Sequence, residues 1–391
     1  MKKLIYIGGF ELPDKNAAAQ RVIANSKIFS MLGYSLELIG VDKNLSFDDG
    51  LCSVSYSGCE FESKAVSYPK TNREWINTIL GHDEIVNYLK ENATDIECVI
   101  LYNYPSIASF KIYSAMKQCN VTVISDITEW HSSRGAGLIF SIVKWLDTTL
   151  RIRYLAKKAG KVITTSQYMT DYYKSKNVET LELPTLYDTR KFTTPPKTLE
   201  KSSTSLIYIG NPFDVKRAAK AKGAVKERLD IVIKALSILS DNYVFTFNVY
   251  GISEEDYLTV YPEHIDLIKG LSDRVFFNGK MDHSFVIQRL QESDFSVFFR
   301  DETLVNLAGF PSKLAESVSC GIPVISSHIA SLTKYQDISG VYLAQLGKEV
   351  DMIERCLKMT ELELNELKEK TYNSKFFDCR MYFEQVKLFL S

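Results

Sequence analysis

The stretch Leu4-Ile-Tyr-Ile-Gly8 recurs letter for letter as Leu206-Ile-Tyr-Ile-Gly210 in the second half of the chain. Four apolar residues followed by glycine read as a buried strand that ends in a turn. One such strand opening each half restricts the fold to two units built alike. After each copy, short apolar runs alternate with longer segments of helical period, the pattern of parallel strands joined by crossover helices. In the first half, strands are expected over 4–7, 36–41, 98–101, 121–125 and 162–164, with helices over 17–32, 106–117 and 137–158. In the second half, strands are expected over 206–209, 244–250, 275–278, 295–299 and 323–326.

The fold class is therefore α/β, with two Rossmann-like domains in tandem facing an interdomain cleft. The 391 residues are enough for two or three domains at roughly 150 residues each. Residues 184–205 turn polar and proline-containing, which places a connector there. The expected domains are 1–190 and 191–372, followed by a tail, 373–391, whose Phe376, Phe377, Tyr382, Phe383 and Val386 suit a helix packing back on the first domain. Open α/β sheets bind ligands beyond the carboxyl ends of their strands, so two facing sheets would enclose a ligand between them.

Composition narrows the partners. At 45% hydrophobic and 24% charged residues the chain is globular rather than disordered. Its 47 Lys and Arg balance 48 Asp and Glu, which supplies no global field for nucleic acid. Seven cysteines without a Cys-x-x-Cys spacing read as reduced thiols, not a metal site. Met1-Lys2-Lys3 leads directly into a short apolar run, too short for a secretory signal, and no stretch of about 20 apolar residues follows. A cytoplasmic protein is expected.

The most informative segment runs from Phe298 to Ile325. It reads as a strand ending at Arg300, a loop through Gly309, Phe310 and Pro311, a helix opening at Ser312 and Lys313, and a Gly321-Ile-Pro323 exit into another strand. Unpaired N–H groups at a helix start favour a bound anion such as a diphosphate. Arg300 and Lys313 would add two cations on that side, and Glu316, one turn deeper, suits the neighbouring hydroxyls of a ribose. Phosphate followed by diol describes a nucleotide.

Here the chain resembles the retaining glycosyltransferases of the GT-B fold, family 4, which carry a Gly-Phe-Pro-Ser-Lys-x-x-Glu segment ending in Gly-x-Pro-Val-Ile. The resemblance implies that Glu316 holds the donor ribose, that Arg300 and Lys313 face the phosphates, and that Gly309, Phe310 and Ser312 lie against the donor. It also implies that a glycine strand end and a cation entering the next helix neutralise the leaving diphosphate, here Gly210-Asn211 with Lys226 and Arg228. A two-residue spacing on a helix separates those cations by about 200°, so sequence does not choose between them. The position eight before Glu316, often a first glutamate in the family, is Ala308.

In the first domain the resemblance points to His131, just after the strand over 121–125, as a contact of the donor sugar. Glu129 lies beside it, and Gly8, Gly9 and Arg21 correspond to a loop over the donor. The segment from Leu138 to Lys161 combines Ile142, Trp145 and Leu146 with six cations against the single acid Asp147. A basic amphipathic helix of this kind can lie on an anionic membrane surface.

The expected activity is a glycosyltransferase of hexosyl type. It would move a sugar from a UDP- or GDP-sugar co-substrate to a glycan or lipid-linked glycan with retention of configuration, in surface polysaccharide synthesis. Without an Asp-x-Asp, no cofactor or essential metal is expected. Two alternatives are a nucleotide-sugar epimerase using Asp126, Glu129 and His131, and a non-catalytic nucleotide-sugar-binding scaffold, which Ala308 makes credible.

Overall fold

The computed structural model describes residues 2–130, 138–192, 196, 203–220 and 225–391. The first sheet contains β1 (Lys3–Gly8), β2 (Ser35–Asp42), β3 (Cys52–Ser53), β4 (Glu62–Ser67), β5 (Ile96–Tyr102), β6 (Thr122–Ile127), β7 (Lys161–Thr164) and β8 (Glu179–Glu182). Their order is β3-β4-β2-β1-β5-β6-β7-β8, parallel throughout except between β3 and β4. The second sheet contains β9 (Thr204–Ile209), β10 (Phe245–Tyr250), β11 (Val275–Phe277), β12 (Phe295–Val297), β13 (Val324–Ser327) and β14 (Val341–Ala344). Its order, β11-β10-β9-β12-β13-β14, is that of a doubly wound sheet whose direction reverses between β9 and β12. The first sheet reverses likewise between β1 and β5.

The repeated pentapeptide lies in the central strand of each sheet, with Leu4–Gly8 in β1, Leu206–Ile209 in β9 and Gly210 just beyond β9. Successive side chains of a strand point to opposite faces, so a strand covered on both faces must be apolar throughout. In β1, Leu4 and Tyr6 enter one core cluster and Ile5 and Ile7 another. In β9, Leu206 and Tyr208 face one cluster and Ile207 and Ile209 the other. Asn16 starts the first crossover helix, Ala17–Met31, by accepting the Ala19 N–H at 2.9 Å.

The tail returns to the first domain as the helix Phe383–Leu390. Cys379, Tyr382, Val386 and Phe389 bury themselves in the same cluster as Leu4 and Tyr6. The Lys161 ammonium donates to the Phe389 carbonyl at 2.6 Å.

The structure adds elements that hydropathy alone did not mark. Between β2 and β5 lie β3, β4 and the helices Asn72–Leu80 and Asp83–Glu91. Edge strands β8 and β14 are only four residues each, too short for a periodic signal. The helix expected over 137–158 runs Leu138–Leu150, widens into a π turn over Arg151–Leu155 and ends at Ala159; Gly137 lies outside the described residues. All seven cysteines are unpaired. Among the described residues no helix is long and apolar enough to cross a membrane.

Candidate active site

The site forms where β9 and β12 diverge. Gly210 follows β9 at φ +102°, a conformation that glycine adopts freely, and a Cβ there would lie 3.5 Å from the Lys313 ammonium. Beyond β12 the chain runs to Arg300, makes the short helix Leu304–Ala308, and starts the helix Ser312–Ser319 behind Pro311. No side chain caps that helix. Its first turn therefore presents backbone N–H groups beside Lys313.

Between the domains lies a cavity of about 210 Å³. The second domain lines it with Gly210, Asn211, Lys226, Glu227, Arg300, Val305, Gly309, Phe310, Ser312 and Lys313. The first domain contributes Ala17, Arg21, Tyr102, Thr128, Glu129, Thr165 and Thr185. The strand ends of both sheets thus converge on one space.

Glu227 is the residue that sequence reasoning missed. It stands between the two cations weighed there, and its carboxylate, 2% exposed, points inward. Arg300 donates to it at 2.6 Å through Nη2 and at 3.2 Å through Nε. Lys313 and the Tyr208 hydroxyl donate to its other oxygen. Burial works to raise the Glu227 pKa, but Lys313 and Arg300 outweigh it and hold the carboxyl down at about 2. Burial lowers Lys313 to about 8 against the opposing pull of Glu227.

The two cations left open by sequence separate cleanly. Lys226 is exposed and lines the cavity. Arg228 turns away: its guanidinium is held by Asp230 at 2.8 and 2.9 Å and by Asp301 at 2.9 Å. Of the two cations, Lys226 lines the cavity and Arg228 does not.

Glu316 lies in the wall beside the cavity rather than on its lining. Its Oε1 accepts from Tyr187 at 3.2 Å and lies 2.7 Å from His283 Nε2, while His283 Nδ1 lies 3.2 Å from Asp14 in the first domain. Hydrogen bonds to Asp14 and Glu316 raise the His283 pKa to about 10. Behind this group a larger cavity of about 500 Å³, floored by Leu186 to Asp188, lies away from the converging cations.

In the first domain Arg21 reaches the cavity edge, but its charge is committed. It forms a two-pronged pair with Asp126 at 2.8 and 3.0 Å and donates to the Leu183 and Pro184 carbonyls. Asp126 also accepts from Tyr6. Gly8 and Gly9 do not line the cavity; Gly8 instead permits close strand packing, since a Cβ there would sit 2.8 Å from the Tyr102 carbonyl. His131 lies outside the described residues. Ala308 is fully buried among Ile127, Ile152, Met169 and Tyr173 of the first domain, and its carbonyl accepts from Ser166 at 2.9 Å.

Residues 219–361 match the family model described as glycosyl transferases group 1. The second half of the chain carries a glycosyltransferase domain. No curated protein matches the chain in sequence. Solved structures resemble it over almost its whole length. A glycosyltransferase from Rickettsia africae superposes with a TM-score of 0.66 at 14% identity, covering 99% of this chain and 98% of its own. Anabaena HepE in complex with UDP and glucose gives 0.64 at 13%, covering 99% of both chains. Staphylococcus aureus TarM, solved with fondaparinux, α-GlcNAc-glycerol and UDP, gives 0.64 at 12%, covering 100% of both. At such identities the likeness is one of fold, the two-domain GT-B architecture.

Proposed function

We propose that this glycosyltransferase domain serves a two-domain enzyme moving a hexose-type unit from a UDP- or GDP-sugar to a glycan or lipid-linked glycan. Configuration at the transferred carbon is retained, and the product belongs to a surface polysaccharide. The observation that carries this reading is the convergence of Lys226, Arg300, Lys313 and an uncapped helix start on the strand ends of the second sheet. That arrangement suits a diphosphate better than a neutral ligand. HepE and TarM were solved with UDP, which makes UDP the first nucleotide to test.

Catalysis in this reading is electrostatic. As the bond between sugar and diphosphate breaks, charge grows on the departing phosphate, where prealigned cations and backbone N–H groups stabilise it. Glu129 and Thr128 line the cavity from the first domain, and in this reading an acceptor hydroxyl approaches from that side. Closure of the domains orders that hydroxyl and keeps water out. The protein's own cations meet the leaving charge, and no metal has a part in the proposal.

The acceptor's lipid would bring the enzyme to a membrane. On the helix Leu138–Leu150 and its π turn, Trp145 and Tyr154 are about 60% exposed, beside Ile142, Leu146 and Leu150. Arg153 and Lys158 are exposed nearby, whereas Arg151 is buried and takes no part. Epimerisation fits less well, because the Asp126 carboxylate is already held by Arg21 and Tyr6.

A panel of UDP- and GDP-sugars tests the proposal. Nucleotide release that requires a glycan acceptor supports transfer. Interconversion of sugars without acceptor, or no binding of any donor, contradicts it.

A further inference from the structure

Glu227 is tied to three separate elements at the point where the second sheet divides. Tyr208 belongs to β9, Arg300 follows β12, and Lys313 opens the helix Ser312–Ser319. The carboxylate is fixed from its own side as well. The Glu227 N–H donates to the Pro212 carbonyl at 3.1 Å, and the next N–H, of Arg228, donates to the Phe299 carbonyl at 2.8 Å. Neither end of this arrangement is free to drift.

We propose that Glu227 is the positioning residue of the donor site, holding Arg300 and Lys313 side by side, both charged, so that a nucleoside diphosphate meets them already aligned. The inference rests on the reading of the cavity given above. Its physical basis is charge balance. Arg300 and Lys313 are both less than 10% exposed. Two buried cations so close, without a carboxylate between them, would repel, and lysine rather than arginine would lose its proton. Glu227 leaves one net positive charge in the buried group, to which exposed Lys226 adds another at the mouth. Arg300 and Lys313 both line the cavity where an anion would enter.

The groups facing the Lys313 ammonium are Glu227, Arg300 and Lys226, with the Tyr208 ring at 4.1 Å and the Phe298 ring at 5.4 Å. Burial already holds Lys313 near 8 with Glu227 in place. Loss of the carboxylate removes the main opposing attraction, so the amine would shed its proton at lower pH.

The test is calorimetric binding of UDP and of GDP to the full chain between about pH 6 and about pH 9, in wild type, Glu227→Gln and Glu227→Asp. Wild-type affinity should fall as pH rises through about 8. Glu227→Gln should bind roughly tenfold or more weakly at neutral pH, with its decline beginning at lower pH, and Glu227→Asp should restore part of both. A uniform loss without movement of the pH profile, or an unchanged affinity, overturns the proposal. Should Glu227→Gln fail to fold, Lys313→Arg carries the test: an arginine stays charged, so the decline above about 8 should disappear, and its persistence overturns the proposal. If wild type binds neither nucleotide, the reading of the cavity falls and the role of Glu227 with it.

Discussion

The imidazole of His283 lies 2.7 Å from the Glu316 carboxylate, the group on which the ribose of a donor would be expected to rest. The other ring nitrogen reaches Asp14 of the first domain, so one side chain joins the two domains through two acids.

This contact has a pH signature. An unfolded histidine titrates near 6.5, and folding raises His283 to about 10 through Asp14 and Glu316. A raised pKa means stability that is fully present below about 6.5 and lost as pH climbs through about 10. The ring is partly exposed, which limits its worth at neutral pH to about 1 kcal/mol. In urea unfolding, His283→Gln should lie below wild type at pH 7, and the difference should shrink toward pH 10.

Lys226 and Arg228 should behave as opposites. Lys226→Ala should weaken nucleotide binding by roughly tenfold and flatten its salt dependence, with little effect on unfolding, because the side chain is exposed at the cavity. Arg228→Ala should leave affinity nearly intact and cost about 1–2 kcal/mol of stability, because Asp230 loses its main partner. Parallel calorimetry and chemical unfolding of the two variants check this.

Restoring a glutamate at position 308 should not rescue or enhance transfer. Ala308 is fully buried against Ile127, Ile152 and Met169, so a carboxylate there would be desolvated among apolar side chains. Ala308→Glu should cost about 3 kcal/mol or more, or force the domains apart. A lower thermal midpoint together with a larger solution radius would report the second outcome.

Vesicle flotation checks the membrane surface. The chain should float with vesicles rich in anionic lipid, float less at high salt, and not float with neutral ones. Trp145→Ala combined with Lys158→Glu should abolish flotation without reducing UDP binding, since neither residue lines the cavity.

The architecture was legible because its governing signal is local. A strand buried on both faces must be apolar at every position, and the repeated pentapeptide announces that twice. The cations Arg300 and Lys313 were legible for a related reason: their positions at a strand end and a helix start follow from the chain's own punctuation. Glu227 was not legible. Flanked by Lys226 and Arg228, it looks like one member of a solvated charge run, and only the packing of β9, β12 and the helix Ser312–Ser319 turns it inward. The commitment of Glu316 to His283 and Tyr187 was hidden for the same reason, since all three come from distant parts of the chain. Arg21 illustrates the converse: an arginine entering a helix beside a glycine loop suggested a ligand, while the fold gives its charge to Asp126.

The most direct measurement is a crystal structure of the full chain with UDP or GDP. The diphosphate should lie against Gly210 and the first turn of Ser312–Ser319, within reach of Lys226, Arg300 and Lys313, with the ribose hydroxyls on Glu316 and with His283 moved aside. A diphosphate bound anywhere else, or a ribose that leaves Glu316 paired with His283, would contradict it.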